Sequence, residues 1–128
     1  MKYEFIILTV QDNIGWIRFN RPDKLNAMNT ALVSDFEKAI MECEQDENVR
    51  VVILTGNEKA FIAGADIEPM SKADVSAGFR LTEHSMKVQE RLADLPKPTI
   101  SAICRCIGFP SSTPQVLMGS AINPARCM

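Results

Sequence analysis

The sequence holds no long apolar run, no excess of one charge and no internal repeat, and each absence removes a class of function. No stretch reaches the roughly 20 apolar residues that a membrane-spanning helix needs. Lys and Arg number 14 against 16 Asp and Glu, a net charge of −2, so nothing argues for nucleic acid or an anionic membrane surface. Histidine occurs once, as His84, far along the chain from the C-x-C pair of Cys104 and Cys106, and no metal is expected from so thin a ligand set. The opening Met1-Lys2-Tyr3-Glu4 lacks the basic and apolar regions of a signal peptide. The 4 cysteines are therefore expected reduced, in a cytoplasmic protein, rather than paired in disulfides. No low-complexity linker divides the chain.

What is present is an ordinary globular composition, 46% hydrophobic and 23% charged over 128 residues, enough for one domain. Residues 3–10 are rich in Phe, Ile, Leu, Thr and Val and read as a strand. Gln11-Asp12-Asn13 supplies a turn, and Ile14 to Phe19 a second strand, making a hairpin with Trp16 and Arg18 on one face and Ile17 and Phe19 on the other. Trp16 is read as a core or rim residue. Arg21-Pro22-Asp23 breaks the strand, because proline has no N–H for a ladder. Asn29 or Thr30 then caps a helix running to about Gln45, with Leu32, Val33, Phe36, Ile40 and Cys43 on its apolar face. Asp35, Glu37, Lys38, Glu42 and Glu44 are read as its solvated face. A strand over residues 49–54 follows. A second helix is expected over residues 73–95, with Leu81, Ser85, Val88, Leu92 and Leu95 in one stripe and Phe79 and Met86 beside it. His84 on this helix is read as a surface or hydrogen-bonded structural residue. Pro96 ends the helix, and Thr99 to Ile103 reads as another strand. Strands, helix, strand, loop and helix in that order form an α/β pattern.

Between the strand at 49–54 and the second helix lies Lys59-Ala60-Phe61-Ile62-Ala63-Gly64-Ala65-Asp66-Ile67-Glu68. Small residues at Ala63, Gly64 and Ala65 let a ligand approach the main chain closely, and a loop before a helix is where α/β proteins turn N–H groups towards ligands. This stretch resembles the signature loop of the crotonase (enoyl-CoA hydratase/isomerase) superfamily. Asn20-Arg21-Pro22-Asp23-Lys24-Leu25-Asn26-Ala27-Met28 and Leu95-Pro96-Lys97-Pro98-Thr99-Ile100-Ser101-Ala102-Ile103 resemble two further family segments, in the family's order and at about its spacing.

The resemblance implies an α/β fold, the N-terminal part of a crotonase-like spiral of β–β–α units, here incomplete, since full members are about twice as long. It implies an acyl-CoA thioester as substrate, with coenzyme A as part of that substrate and no separate cofactor. It implies a 2-enoyl-CoA hydrated through an enolate that two backbone N–H groups stabilise, fixed donors whose reorganisation cost is already met by the fold. The first of those donors maps onto Ala65. By the same mapping Ala63, Gly64, Asp66 and Ile67 contribute to holding the thioester and the CoA adenine end, and Lys24, Leu25 and Ala27 fall on the family's other CoA-contacting segment. Lys24 near the nucleotide phosphates is electrostatically sensible; a solvated loop lysine is the alternative. Full-length members assemble as trimers and hexamers.

The resemblance stops after residue 103. The family places a second oxyanion donor in a Gly-rich segment just beyond, followed by two glutamates that activate water and move the proton to Cα. Residues 104–128 contain no Asp or Glu, three of the 4 cysteines and three of the 7 prolines. Gly108 and Gly119 are poor matches for the second donor, being followed by no glutamate. Asp66, Glu68, Glu83 and Glu90 are the other carboxylates near enough in sequence to weigh, and none has a spacing that demands catalysis. Residues 1–103 thus read as an acyl-CoA-binding region and 104–128 as a divergent tail. The alternative to an active hydratase is an inactive, truncated or frame-shifted remnant that binds CoA weakly or associates with a full-length homologue. A frame shift predicts that the gene, read in another frame past codon 103, encodes the Gly-rich segment and its glutamates; sequencing the locus and finding neither would refute it.

Overall fold

The computed structural model describes residues 2–57, 60–64, 75–103 and 115–117. Strands β1 (Ile6–Gln11) and β2 (Ile14–Phe19) pair antiparallel, with Gln11 opposite Ile14, so the hairpin turns on Asp12 and Asn13 alone. Both have positive φ, 53° and 64°. That is the left-handed pair a two-residue hairpin needs to match strand twist, and Asp and Asn tolerate it better than bulkier residues. The chain then crosses through helix α1 (Thr30–Gln45) to β3 (Val51–Thr55), parallel to β2, and through α2 (Val75–Ala93) to β4 (Thr99–Ile103), parallel to β3. A short β5 (Gln115–Leu117) pairs antiparallel with β4 and completes a sheet of order β1-β2-β3-β4-β5. The mixed α/β architecture expected from the sequence is the one observed, and β5, inside the segment read as a tail, is an element that the sequence pattern did not announce.

Helix α1 begins where its cap chemistry puts it. The Asn29 side chain accepts the Leu32 N–H at 2.8 Å, satisfying one of the first-turn donors and contributing about 1 kcal/mol. Its apolar stripe, Leu32, Val33, Phe36, Ile40 and Cys43, is buried against β1 and β2, where Ile17 and Phe19 are fully buried. Each such side chain taken wholly from water contributes about 1.5–3 kcal/mol. Phe36 meets Phe19 edge-on, centroids 5.0 Å apart. On β2 the expected alternation holds, with Ile17 and Phe19 inward and Trp16 and Arg18 on the wetter face. From α2, Leu81, Val88 and Leu92 join the same core and Leu95 follows just past its end, whereas Phe79 and Met86 lie exposed. The thiol of Cys43 is buried, and that burial foremost pushes it up to about 11, so it stands as an unreactive thiol.

Three polar residues of α1 correct the reading of its charged face as simply solvated. Asp35 is buried, and its Oδ2 accepts the N–H groups of Glu4 and Phe5 at 2.9 and 3.0 Å, fastening the entry to β1. Glu37 is half-buried and meets Nε2 of His84 at 2.9 Å, joining α1 to α2; His84 is thus a hydrogen-bonded structural residue. Glu42 accepts from both Lys2 Nζ and Tyr3 Oη at 2.5 Å. None of these contacts can be read from helical periodicity, because each partner lies 30 residues or more away in sequence. Lys97, within the Leu95–Ile103 stretch, has an equally distant partner: its Nζ donates to the carbonyls of Cys43 and Asp46 at 2.6 and 2.8 Å. A cation at the carbonyls of a helix C-terminus is favourable by both charge and hydrogen bonding.

The hydrogen bond to Glu42 makes Tyr3 a spectroscopic reporter. Burial first, and then the Glu42 bond and charge, raise the phenol well above its ordinary value, while Lys2 and then Tyr3 hold the Glu42 carboxyl below its own. A raised phenol is neutral in the folded chain, so its contribution to stability is complete below about pH 10 and is lost above it, as the unfolded chain ionises first. Tyr3 is the only tyrosine. An alkaline titration should therefore show no phenolate absorbance near pH 10 until the chain unfolds, with an ordinary titration in urea; phenolate appearing at that pH with the fold intact would contradict the contact.

Candidate functional site

Two irregular segments that are far apart in sequence meet beyond the C-terminal ends of β2 and β3. The first begins with a 3-10 turn, Pro22–Lys24, whose proline takes the position where no N–H is needed. It continues through Leu25 and Asn26, both left-handed, with φ of 51° and 59°. The second covers residues 60–64. Main-chain hydrogen bonds join them: the Ala63 N–H donates to the Leu25 carbonyl at 3.1 Å, and the Met28 N–H to the Gly64 carbonyl at 2.7 Å. Side chains add to this. Asn26 Nδ2 donates to the Ala60 carbonyl at 2.9 Å and Asn26 Oδ1 accepts the Arg21 N–H at 2.7 Å, while Arg21 Nη1 donates to the Ala27 carbonyl at 2.8 Å.

The second segment is held from below by packing. Ala60 is buried, and Phe61 and Ile62 lie against the core, with the Phe61 ring edge-on to Phe19 at 5.6 Å. Gly56, at the end of β3, lets the chain double back closely: the Ala60 N–H donates to Asn57 Oδ1 at 3.0 Å, and the Asn57 N–H to the Ala60 carbonyl at 3.0 Å. A Cβ at Gly56 would fall 2.1 Å from the Ala60 oxygen and 2.5 Å from the Phe61 Cα. Gly64 has φ of 131°, a conformation that side chains rarely adopt.

The result is a ledge whose lower surface is fixed and whose upper surface is open. Lys24, Leu25, Ala63 and Gly64 are exposed and Ala27 half-buried, so five of the residues singled out in the sequence as ligand contacts form one continuous surface. The other three, Ala65, Asp66 and Ile67, lie outside the described residues, as do Glu68, Cys104, Cys106, Gly108 and Gly119. Of the carboxylates weighed as acid–base groups, Glu83 and Glu90 are exposed on α2, and Glu83 pairs with Lys87 one turn on, at 3.4 Å. Asn26 is the residue that sequence reasoning passed over. Its signal was an asparagine inside a loop motif, flanked by Leu25 and Ala27, where a left-handed backbone favours that residue type.

Comparison with known proteins gives concordant findings. The family model described as Enoyl-CoA hydratase/isomerase matches residues 9–108. A probable enoyl-CoA hydratase of Rhizobium meliloti is 36% identical over 103 residues, covering 80% of this chain and 39% of that protein. A short-chain-enoyl-CoA hydratase of Clostridium acetobutylicum is 38% identical over 104 residues, with 80% and 40% covered. Among solved structures, an enoyl-CoA hydratase from Bacillus anthracis superposes with a TM-score of 0.74 at 29% identity, over 78% of this chain and 40% of that one. The chain thus spans about two fifths of the length of the relatives it matches.

The tight return after β3 yields a direct test of how the ledge is supported. Gly56→Ala forces a methyl group onto backbone atoms that have no rotamer through which to yield. Overpacking of this kind costs typically about 1–3 kcal/mol, and the midpoint of urea unfolding should fall accordingly. Gly64→Ala, with nothing within 4 Å of its Cβ, should also cost about 1–3 kcal/mol, but from backbone strain alone. An unchanged midpoint in Gly56→Ala would contradict the geometry.

Proposed function

The chain belongs to the enoyl-CoA hydratase/isomerase family, and from that membership we propose that its ledge binds an acyl-CoA thioester and polarises the thioester carbonyl. The observation that carries this reading is the pairing of residues 24–28 with residues 60–64, through Ala63 to Leu25 and Met28 to Gly64. The two segments that the resemblance assigns to CoA contact are hydrogen-bonded to each other, and the second is followed in sequence by Ala65.

On this reading the N–H of Ala65 donates to the thioester oxygen. When the oxygen of water adds at Cβ of a 2-enoyl-CoA, the Cα=Cβ electrons move towards the carbonyl carbon and the carbonyl electrons onto the thioester oxygen, forming an enolate. A backbone donor held by the fold strengthens as the charge grows, which lowers the barrier rather than merely tightening substrate binding. On the same reading the Lys24 ammonium offsets phosphate charge on the nucleotide, and the exposed main chain of Ala63 and Gly64 accepts the ligand at close range. Completion requires a base to take a proton from water and an acid to deliver one to Cα, giving a 3-hydroxyacyl-CoA. A second reading, binding without turnover, is favoured by one observation: residues 104–128 carry no Asp or Glu.

Hydration of crotonyl-CoA by the purified protein, followed as loss of the conjugated enoyl-thioester absorbance, separates the two. Turnover that Ala65→Pro abolishes would establish the enzyme and the donor together. Removing one oxyanion donor should slow the reaction by about 10²–10³-fold. Crotonyl-CoA binding by calorimetry without turnover would leave the binding reading standing. Failure of a folded sample to bind crotonyl-CoA at all would overturn both.

A further inference from the structure

Asn26 has a fully buried side chain, more deeply buried than Asp35 or Thr55, the other buried polar residues among those described. Its carboxamide spends both ends on main chain: Oδ1 on the Arg21 N–H of its own segment, Nδ2 on the Ala60 carbonyl of the other. Its own N–H donates to the Arg21 carbonyl at 2.9 Å. Two further ties between the segments, Ala63 to Leu25 and Met28 to Gly64, involve exposed or half-buried backbone. Water competes for such bonds and leaves each a small net contribution, whereas a buried amide without its partners carries the full cost of desolvation. Register between the segments is therefore decided at Asn26.

We infer that Asn26 is a positioning residue of the acyl-CoA site, setting the height of residues 60–64 against residues 24–28 and so the direction in which the chain enters Ala65. For its ligand this rests on the proposed function; for its mechanics it rests on the hydrogen bonds alone. The carboxamide is suited to the task because one planar group supplies a donor and an acceptor in opposite directions. Asparagine also adopts the left-handed backbone at φ 59° with little strain. Aspartate would keep the acceptor for Arg21 and lose the donor for Ala60. Glycine would keep the backbone and lose both.

The experiment measures amide hydrogen exchange and crotonyl-CoA affinity in the full chain, comparing wild type with Asn26→Gly and Asn26→Asp. The Val52 N–H, which donates to the Pro98 carbonyl at 2.9 Å, serves as the reference for global opening. In both variants the amides of Ala63 and Met28 should exchange at least about tenfold faster relative to Val52, and crotonyl-CoA affinity should fall by a similar factor. Asn26→Asp, which conserves shape and one hydrogen bond, covers the case in which Asn26→Gly does not fold. Exchange at Ala63 and Met28 that rises only in step with Val52 would reduce Asn26 to general stability and overturn the inference. So would unchanged affinity in variants whose wild type binds. Local acceleration in a protein whose wild type binds no crotonyl-CoA would instead uphold the register role and defeat the acyl-CoA reading.

Discussion

Polar main chain cannot be left unpaired where water is excluded, and the meeting of two irregular segments under the ledge is governed by that constraint. A strand satisfies its neighbours by repetition; residues 21–28 and 60–64 have no such ladder. The Arg21 N–H, the Ala27 and Ala60 carbonyls and the amides of Ala60 and Ala63 each find a specific partner instead. Several of those partners are side-chain amides or the Arg21 guanidinium, groups that reach where backbone cannot. This ties the two segments together without a ladder between them, and among the described residues Ala63 and Gly64 stay exposed.

The core supports this arrangement at one point more than any other. Phe19, fully buried at the end of β2, touches Phe36 of α1 on one side and Phe61 of the ledge on the other. Because β2 and β3 run parallel, their C-terminal ends deliver both segments to the same end of the sheet. Parallel pairing thus gives the site its location, and Phe19 fixes its depth. The Asn13 carbonyl, taking the N–H groups of Arg50 and Val51 at 2.8 and 3.3 Å, and the Asn13 side chain, donating to the Asn48 carbonyl at 2.9 Å, hold the opposite end of β3 to the hairpin turn.

The elements legible in the sequence are those set by local chemistry. β2 and β4 have the bounds the residue pattern gives them, α1 starts at the Asn29 cap, and the hairpin turns on Asp12-Asn13 because both tolerate positive φ. Contacts that close over long separations were invisible to periodicity. Asp35 sits at a helical position that reads as surface, yet it is buried by two N–H groups some 30 residues upstream. Lys97 lies in a family segment and reads as a motif residue, whereas its observed partners are the carbonyls of Cys43, in the last turn of α1, and of Asp46, just past its end. The site divides the same way. Small residues at Ala63 and Gly64 mark a ledge, but the residue that holds its two halves in register, Asn26, is recognisable only once Ala60 is seen beside it.

That division bears on what such a site asks of a sequence. An oxyanion hole made of main-chain N–H groups needs small residues and a fixed backbone, and many sequences meet those terms. Proton transfer to and from carbon needs a carboxylate within about 3 Å of the atom it serves, and a change of one residue removes it. The two demands are met by separate stretches of chain, so they are separable in principle. On the proposed reading, binding and carbonyl polarisation fall to residues 21–28 and 60–67, and general acid–base chemistry to the residues beyond β4. A chain that retained only the first would still recognise the thioester and favour its enolate, but it would offer that enolate no proton. On that proposal the physics of the ledge and the acid-free stretch after residue 103 are not in conflict, since they would bear on different halves of one reaction.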